Sequence, residues 1–142
     1  MSERILVPHD GSGHADAALR FALETFPDAS VVVLHVVEPF ADHTDAGVEN
    51  GGRWRSRARE YAADVFDDVD DTAAAFETTV DTVWWYGRPT HVIVQYIDAE
   101  GIDEVVMGSR GRSGIDRLLL GSVAETVVRR ASVPVTIVHG TD

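Results

Sequence analysis

Residues 104–139 read EVVMGSRGRSGIDRLLLGSVAETVVRRASVPVTIVH. The opening EVVM is short, apolar and rich in β-branched residues, which predicts a strand over 104–107 that stops at Gly108. A loop spaced by Gly108, Gly111, Gly114 and Gly121 follows. From Ser122 to Arg130, Val123, Val127 and Val128, with Ala131 just beyond, recur at helical intervals; the spacing predicts a helix with those side chains inward. The run PVTIVH, 134–139, predicts another strand. A strand, a crossover containing a helix and a second strand form a βαβ unit, with parallel strands and a right-handed crossover.

The same alternation runs upstream. ERILV, 3–7, ends at Pro8 and predicts a buried strand, followed by the turn sequence HDGSG, 9–13. Ala15, Ala18, Leu19, Ala22, Leu23 and Phe26 then mark an amphipathic helix with Ser12 as its N-cap. SVVVLHVV, 30–37, predicts a central strand covered on both faces. Residues 38–52 predict the longest loop, and Trp54, Ala58, Tyr61, Ala62 and Val65 a second helix, closed by the acidic stretch 67–71. A third strand is expected over 76–86, on a sheet edge because Asp81 interrupts it. Pro89, Ile93, Tyr96 and Ile97 mark a third helix, with Gly101 as its stop. Strands alternating with helices predict one α/β domain over 1–142: a five-stranded parallel sheet with helices on both faces.

In such sheets ligands sit at the C-terminal ends of the strands. The loop 108–122 leaves a strand at that end and closes on a helix N-terminus, where unpaired N–H groups and the helix dipole attract anions. Glycines let backbone approach a phosphate closely; Ser122 adds a hydroxyl, and Arg110 and Arg112 add charge. The residues alone leave two readings: glycines that only turn the chain, or a phosphate cradle. Asp10 likewise reads either as a ligand contact or as a carboxylate favoured by the dipole of the helix it precedes. His35, inside an apolar run, reads as a core histidine, and Trp84 and Trp85 must face opposite sides of their strand. His9, Asp10 and His14 lack the spacing of a metal site.

Composition removes whole classes of function. The 142 residues contain no Cys, which excludes disulfides, thiolate metal sites and a Cys nucleophile. All twelve basic residues are Arg, so no P-loop Lys or Schiff base is available. Asp and Glu total 24 and the net charge is −12, which repels nucleic acid and anionic membranes and suits a salt-loaded cytoplasm, as in a halophile. The Arg residues at 53, 55, 57 and 59 precede a run of acids and read as a solvated helix, not a nucleic-acid patch. No apolar run reaches the length of a membrane span and the first residues lack a signal-peptide pattern, so a cytoplasmic protein is expected.

Gly108-x-x-Gly111, nine residues, then Gly121-Ser122 resembles the nucleotide signature of the ATP-binding branch of the universal stress proteins. VPHDGS at 7–12, LHVVEP at 34–39, GRP at 87–89, VVMGSRG at 105–111 and LLLGSVAETVVRRASVPVTIV at 118–138 resemble that family in order and spacing, leaving 40–75 as the weak stretch. The resemblance implies a doubly wound, Rossmann-like sheet of order 3-2-1-4-5, of the adenine nucleotide alpha hydrolase type. It implies nucleotide at the ends of strands 1 and 4, with Asp10 on the ribose or base, Pro8 shaping the adjoining wall and Val36 meeting adenine through its backbone. Met107 and Gly108 would line the ribose and phosphate side, and Gly111, Gly121, Ser122 and the Val123 N–H would cradle phosphates. ATP, with Mg²⁺ carried on its phosphates and no metal held by the protein, is the implied ligand, and AMP or a cyclic nucleotide stays open. The resemblance also implies a homodimer through the last strand, 133–139, where Val133, Val135 and Ile137 alternate with Pro134, Thr136 and Val138 before His139. No residue reads as a dedicated catalytic base, so binding and stress signalling are expected rather than turnover. A nucleotide-free dimeric interaction module and a slow ATP hydrolase are the alternatives.

Overall fold

The structure, a computed structural model, describes residues 3–38, 51–110 and 120–140, the side chains of 51–54, 110 and 140 excepted. Among the described residues, five strands, β1 (Arg4–Pro8), β2 (Ser30–Val37), β3 (Asp81–Tyr86), β4 (Glu104–Arg110) and β5 (Val135–Gly140), alternate with four helices, α1 (Gly13–Thr25), α2 (Gly51–Ala75), α3 (Pro89–Ala99) and α4 (Ser122–Arg130). The sheet order is β3-β2-β1-β4-β5 and every pairing is parallel. This is the doubly wound order that the family resemblance implies. Chain order reverses direction at β1, so β1 and β4 part their crossovers to opposite faces and leave a crevice at their C-terminal ends.

Strand alternation divides the core into two layers. Leu6, Leu34, Val105 and Met107 point to the side covered by α3 and α4, through Val92, Ile93, Tyr96 and Val127. Ile5, Val7, Val33 and Val106 point to the side covered by α1 and α2, through Ala18, Leu19 and Val69. Burial on both faces leaves Ile5, Leu6 and Val7 fully inaccessible, which is why β1 reads as an unbroken apolar run rather than an alternation. Trp85 lies edge-on to Tyr96 of α3, 5.2 Å between ring centroids, and so takes the core side of β3.

Three local readings change in the folded chain. The acidic stretch 67–71 does not close α2 but lies inside it: Val69 is fully buried while Asp67, Asp68, Asp70 and Asp71 are exposed around it. Packing of Ala62, Val69 and Ala73 outweighs the weak helix preference of Asp. The strand expected over 76–86 consequently begins only at Asp81. Phe76 and Thr78 donate their N–H groups back to the Ala73 carbonyl, and Glu77 takes the left-handed conformation, φ 57°, that terminates the helix. In α4 the inward residue is Ala124, not Val128, which is 44% exposed; the helix is rotated so that Ala124 and Val127 meet the core.

At the N-terminal edge of the sheet, Asp103 accepts a hydrogen bond from the Arg4 N–H at 2.8 Å. Beside it, a hydrogen bond with the Glu3 carboxyl, followed by burial and the charges of Glu3 and Asp103, pushes the Glu104 carboxyl up to about 7. The folded chain therefore binds this proton more tightly than the unfolded chain. Stability from this pair is present at acidic pH and is lost as pH rises through about 7. Glu104→Gln, which keeps an N–H donor, is expected to flatten this part of the profile. Thermal midpoints at fixed salt from about pH 5 to about pH 8 check it; an unchanged slope in the variant removes Glu104 as the cause.

Candidate functional site

A cleft of about 340 Å³ opens at the C-terminal ends of β1, β2 and β4, between the first turns of α1, α3 and α4. Its floor is apolar: Leu34 and Val36 from β2, Met107 from β4 and Ile93 from α3. One wall is the turn between β1 and α1, with Pro8, Asp10 and His14. The opposite wall is the start of α4, residues Gly121 to Ala124.

The β1–α1 turn is built by its own side chains. Gly11 sits at φ +89°, a conformation that favours glycine. Ser12 caps α1, accepting the Ala15 N–H at 3.2 Å. One oxygen of Asp10, Oδ1, accepts both the N–H and the hydroxyl of Ser12, while Oδ2 lies 3.8 Å from His14 Nε2. Burial raises the Asp10 carboxyl, but the hydrogen bonds from Ser12 and the neighbouring His14 outweigh it and hold it below the usual carboxylate range. Oδ1 thus organises the helix start, and Oδ2 faces His14 at the cleft wall.

At the other wall, Gly121 occupies the N-cap of α4 in extended conformation, φ −63° and ψ 161°, and among the described residues no side chain caps the helix. The first N–H groups of a helix have no partner inside it, so those of Ser122, Val123 and Ala124 converge here with the positive end of the dipole. Among the described residues, a Cβ on Gly121 would meet nothing within 4 Å. Gly108 is different. A Cβ there would lie 2.2 Å from the His14 carbonyl oxygen, so this glycine answers to the close seating of α1 on β4 while its backbone also lines the cleft.

Eight of the residues singled out in the sequence, Pro8, Asp10, Val36, Met107, Gly108, Gly121, Ser122 and Val123, line this one cleft. Arg110 ends β4 opposite Gly140, and its side chain, with Gly111 and Arg112, lies outside the described residues. Sequence reasoning missed Leu34, Glu38, Pro89, Ile93 and Ser109, among others, as lining residues and set His9 and His14 aside. Pro89 opens α3 at N1, and the signal for it was available: in a parallel sheet every turn from strand to helix opens on the same edge. Among the described residues no group of three or more His, Cys, Asp or Glu is placed to hold a metal ion.

Comparison with known proteins now bears on the cleft. The model of the universal stress protein family matches residues 1–139. The chain belongs to the universal stress protein family. It is 31% identical to universal stress protein MJ0531 of Methanocaldococcus jannaschii over 143 residues, which cover 96% of this chain and 81% of that one. The solved structure of hypothetical protein MJ0577 superposes with a TM-score of 0.79 at 27% identity, covering 100% of this chain and 99% of that one. A universal stress protein in complex with cAMP has the same fold, with a TM-score of 0.71 at 23% identity and 98% of each chain covered. Like these family members, the chain carries the sheet order that brings the ends of β1 and β4 side by side. No helix among the described residues is long and apolar enough to cross a membrane.

Proposed function

We propose that the cleft binds an adenine nucleotide, ATP with its Mg²⁺ in the first instance, and that the chain acts as a nucleotide-responsive homodimer in cytoplasmic stress signalling. One observation carries the reading: an uncapped helix N-terminus, with no Cβ at Gly121, faces a carboxylate across an apolar floor. An adenine ring suits the floor of Leu34, Val36, Ile93 and Met107, with its polar edge on the backbone of Val36. Asp10 Oδ2 then accepts from the ribose or base. The phosphates lie at Gly121, Ser122 and Val123, the part of the glycine signature within the described residues. The metal ion, when bound, neutralises phosphate charge and is carried by the ligand. That the same fold holds cAMP in another universal stress protein agrees with an adenine ligand.

The role is binding rather than turnover. Ground-state contacts to phosphate do not lower the barrier to its transfer, and the Asp10 carboxylate is already engaged by Ser12. Strand β5 forms one edge of the sheet, where an unpaired strand invites a second copy. Pairing of two β5 strands about a two-fold axis gives an antiparallel join. The high negative charge and absence of Lys suit a salt-rich cytoplasm.

Thermal unfolding in high salt, with and without ATP and Mg²⁺, tests the reading. At about 100 times its Kd, ATP is expected to add about 2.7 kcal/mol of stability. AMP and cAMP in parallel rank the ligands. No shift with any of the three at millimolar concentration rejects nucleotide binding and leaves a nucleotide-free interaction module. A phosphate-release measurement separates a binder from a hydrolase.

A further inference from the structure

We propose that His9 is the positioning residue of the cleft: its neutral imidazole holds the turn that presents Asp10, so ligand binding is lost when His9 takes up a proton. The inference rests on the nucleotide reading above and adds a control to it.

His9 is gripped at every polar atom but one. Its N–H donates to the Leu34 carbonyl at 2.9 Å, and its own carbonyl accepts from His35 Nδ1 at 2.8 Å. Its ring nitrogen Nδ1 lies 3.0 Å from the Gly11 nitrogen. Because Gly11 N–H can only donate, Nδ1 must be the bare lone pair, and the ring proton sits on Nε2. The imidazole thus closes a three-residue turn around Asp10, with Gly11 held at φ +89°. The residue is 5% exposed, and Nε2 has no hydrogen-bond partner among the described residues.

The charged groups facing the ring come from every element packed around it. Asp10 adjoins it in the chain, Asp16 faces it from α1, Asp68 from α2 and His35 from β2. Asp16 is itself engaged, by Arg20 Nε at 2.8 Å and by the Thr72 hydroxyl at 2.7 Å, which ties α2 to α1. Burial is the largest influence on His9 and lowers its affinity for a proton; the three carboxylates oppose it and His35 reinforces it, and the net direction is down. The ring is therefore neutral in the folded chain near neutral pH. Protonation in acid places a second N–H on Nδ1, facing the Gly11 N–H. The acceptor is gone, the two donors repel, and the turn that carries Asp10 and Ser12 opens.

Two measurements on the full chain test this, comparing wild type with His9→Asn, whose Oδ1 accepts the Gly11 N–H without titrating. Binding of ATP with Mg²⁺ is followed by calorimetry from about pH 7.5 down to about pH 5, and wild-type affinity is expected to fall up to about tenfold per pH unit once His9 titrates. The ratio of the two proteins cancels every titration they share, and it is expected to grow steadily as pH falls. In the ligand-free wild type, the Gly11 amide resonance is expected to move upfield along the same titration as the His9 ring. An acid loss as steep in His9→Asn as in wild type overturns the proposal. So does a Gly11 amide that ignores the His9 ring, a result available without any ligand. Wild-type protein that binds no nucleotide at any pH rejects the nucleotide reading instead, and the Gly11 amide then decides the role of His9 alone.

Discussion

Gly108→Ala is expected to destabilise the fold itself, by about 3 kcal/mol, although the position lies in the glycine signature attributed to phosphate. The added Cβ would sit 2.2 Å from the His14 carbonyl oxygen, 2.6 Å from its carbon and 3.2 Å from the Ala15 nitrogen. All three are backbone atoms at the start of a helix and cannot rotate away. Relief requires α1 to lift from β4, but Ala15, Ala18, Leu19 and Ala22 bury that helix face. Small residues on α1 and a glycine on β4 are two halves of one close contact. Guanidinium unfolding without ligand measures the loss. An unchanged midpoint would mean that the first turn of α1 stands further from β4.

Gly121→Val is expected to do the reverse: leave the fold intact and abolish the stabilisation by ATP, about 2.7 kcal/mol at about 100 times its Kd. Among the described residues nothing lies within 4 Å of a Cβ at this position, and the backbone, at φ −63° and ψ 161°, is extended and open to valine. The isopropyl group would occupy the space before the first N–H groups of α4, where an anion has to approach. Thermal melts of the variant with and without nucleotide read both halves of the expectation. A retained ligand shift would move the phosphates away from Gly121, and a large loss of ligand-free stability would mean the position is packed. The two glycines thus make a matched pair, one required by packing and one by approach.

That contrast marks how far the site was legible in the sequence. Glycine spacing says where backbone comes close to something but not to what. Gly108 and Gly121 look alike in the chain, and only the position of the His14 carbonyl separates them. Likewise, His35 in its apolar strand reads as the core histidine, yet His9 is the more buried of the two. The reason is geometric: His9 follows Pro8 at the end of a strand, and whether that end is covered depends on β2 and α2, distant in the chain, as well as on α1.

The order and type of the elements, the two-faced burial of β1 and β2, the capping of α1 by Ser12 and the anion-ready start of α4 follow from short-range pattern. Periodicity, caps and glycines act over a few residues, and the chain states them directly. The length of α2 and the late start of β3 were settled by packing, because Val69 and Ala73 had to find the sheet before their acidic neighbours could belong to a helix. The meeting of Asp10, Ile93, Met107 and Gly121 in one cleft was decided only by the tertiary structure. Right-handed crossovers send successive helices to faces that local sequence does not name, and residues more than eighty positions apart become neighbours once the sheet is wound.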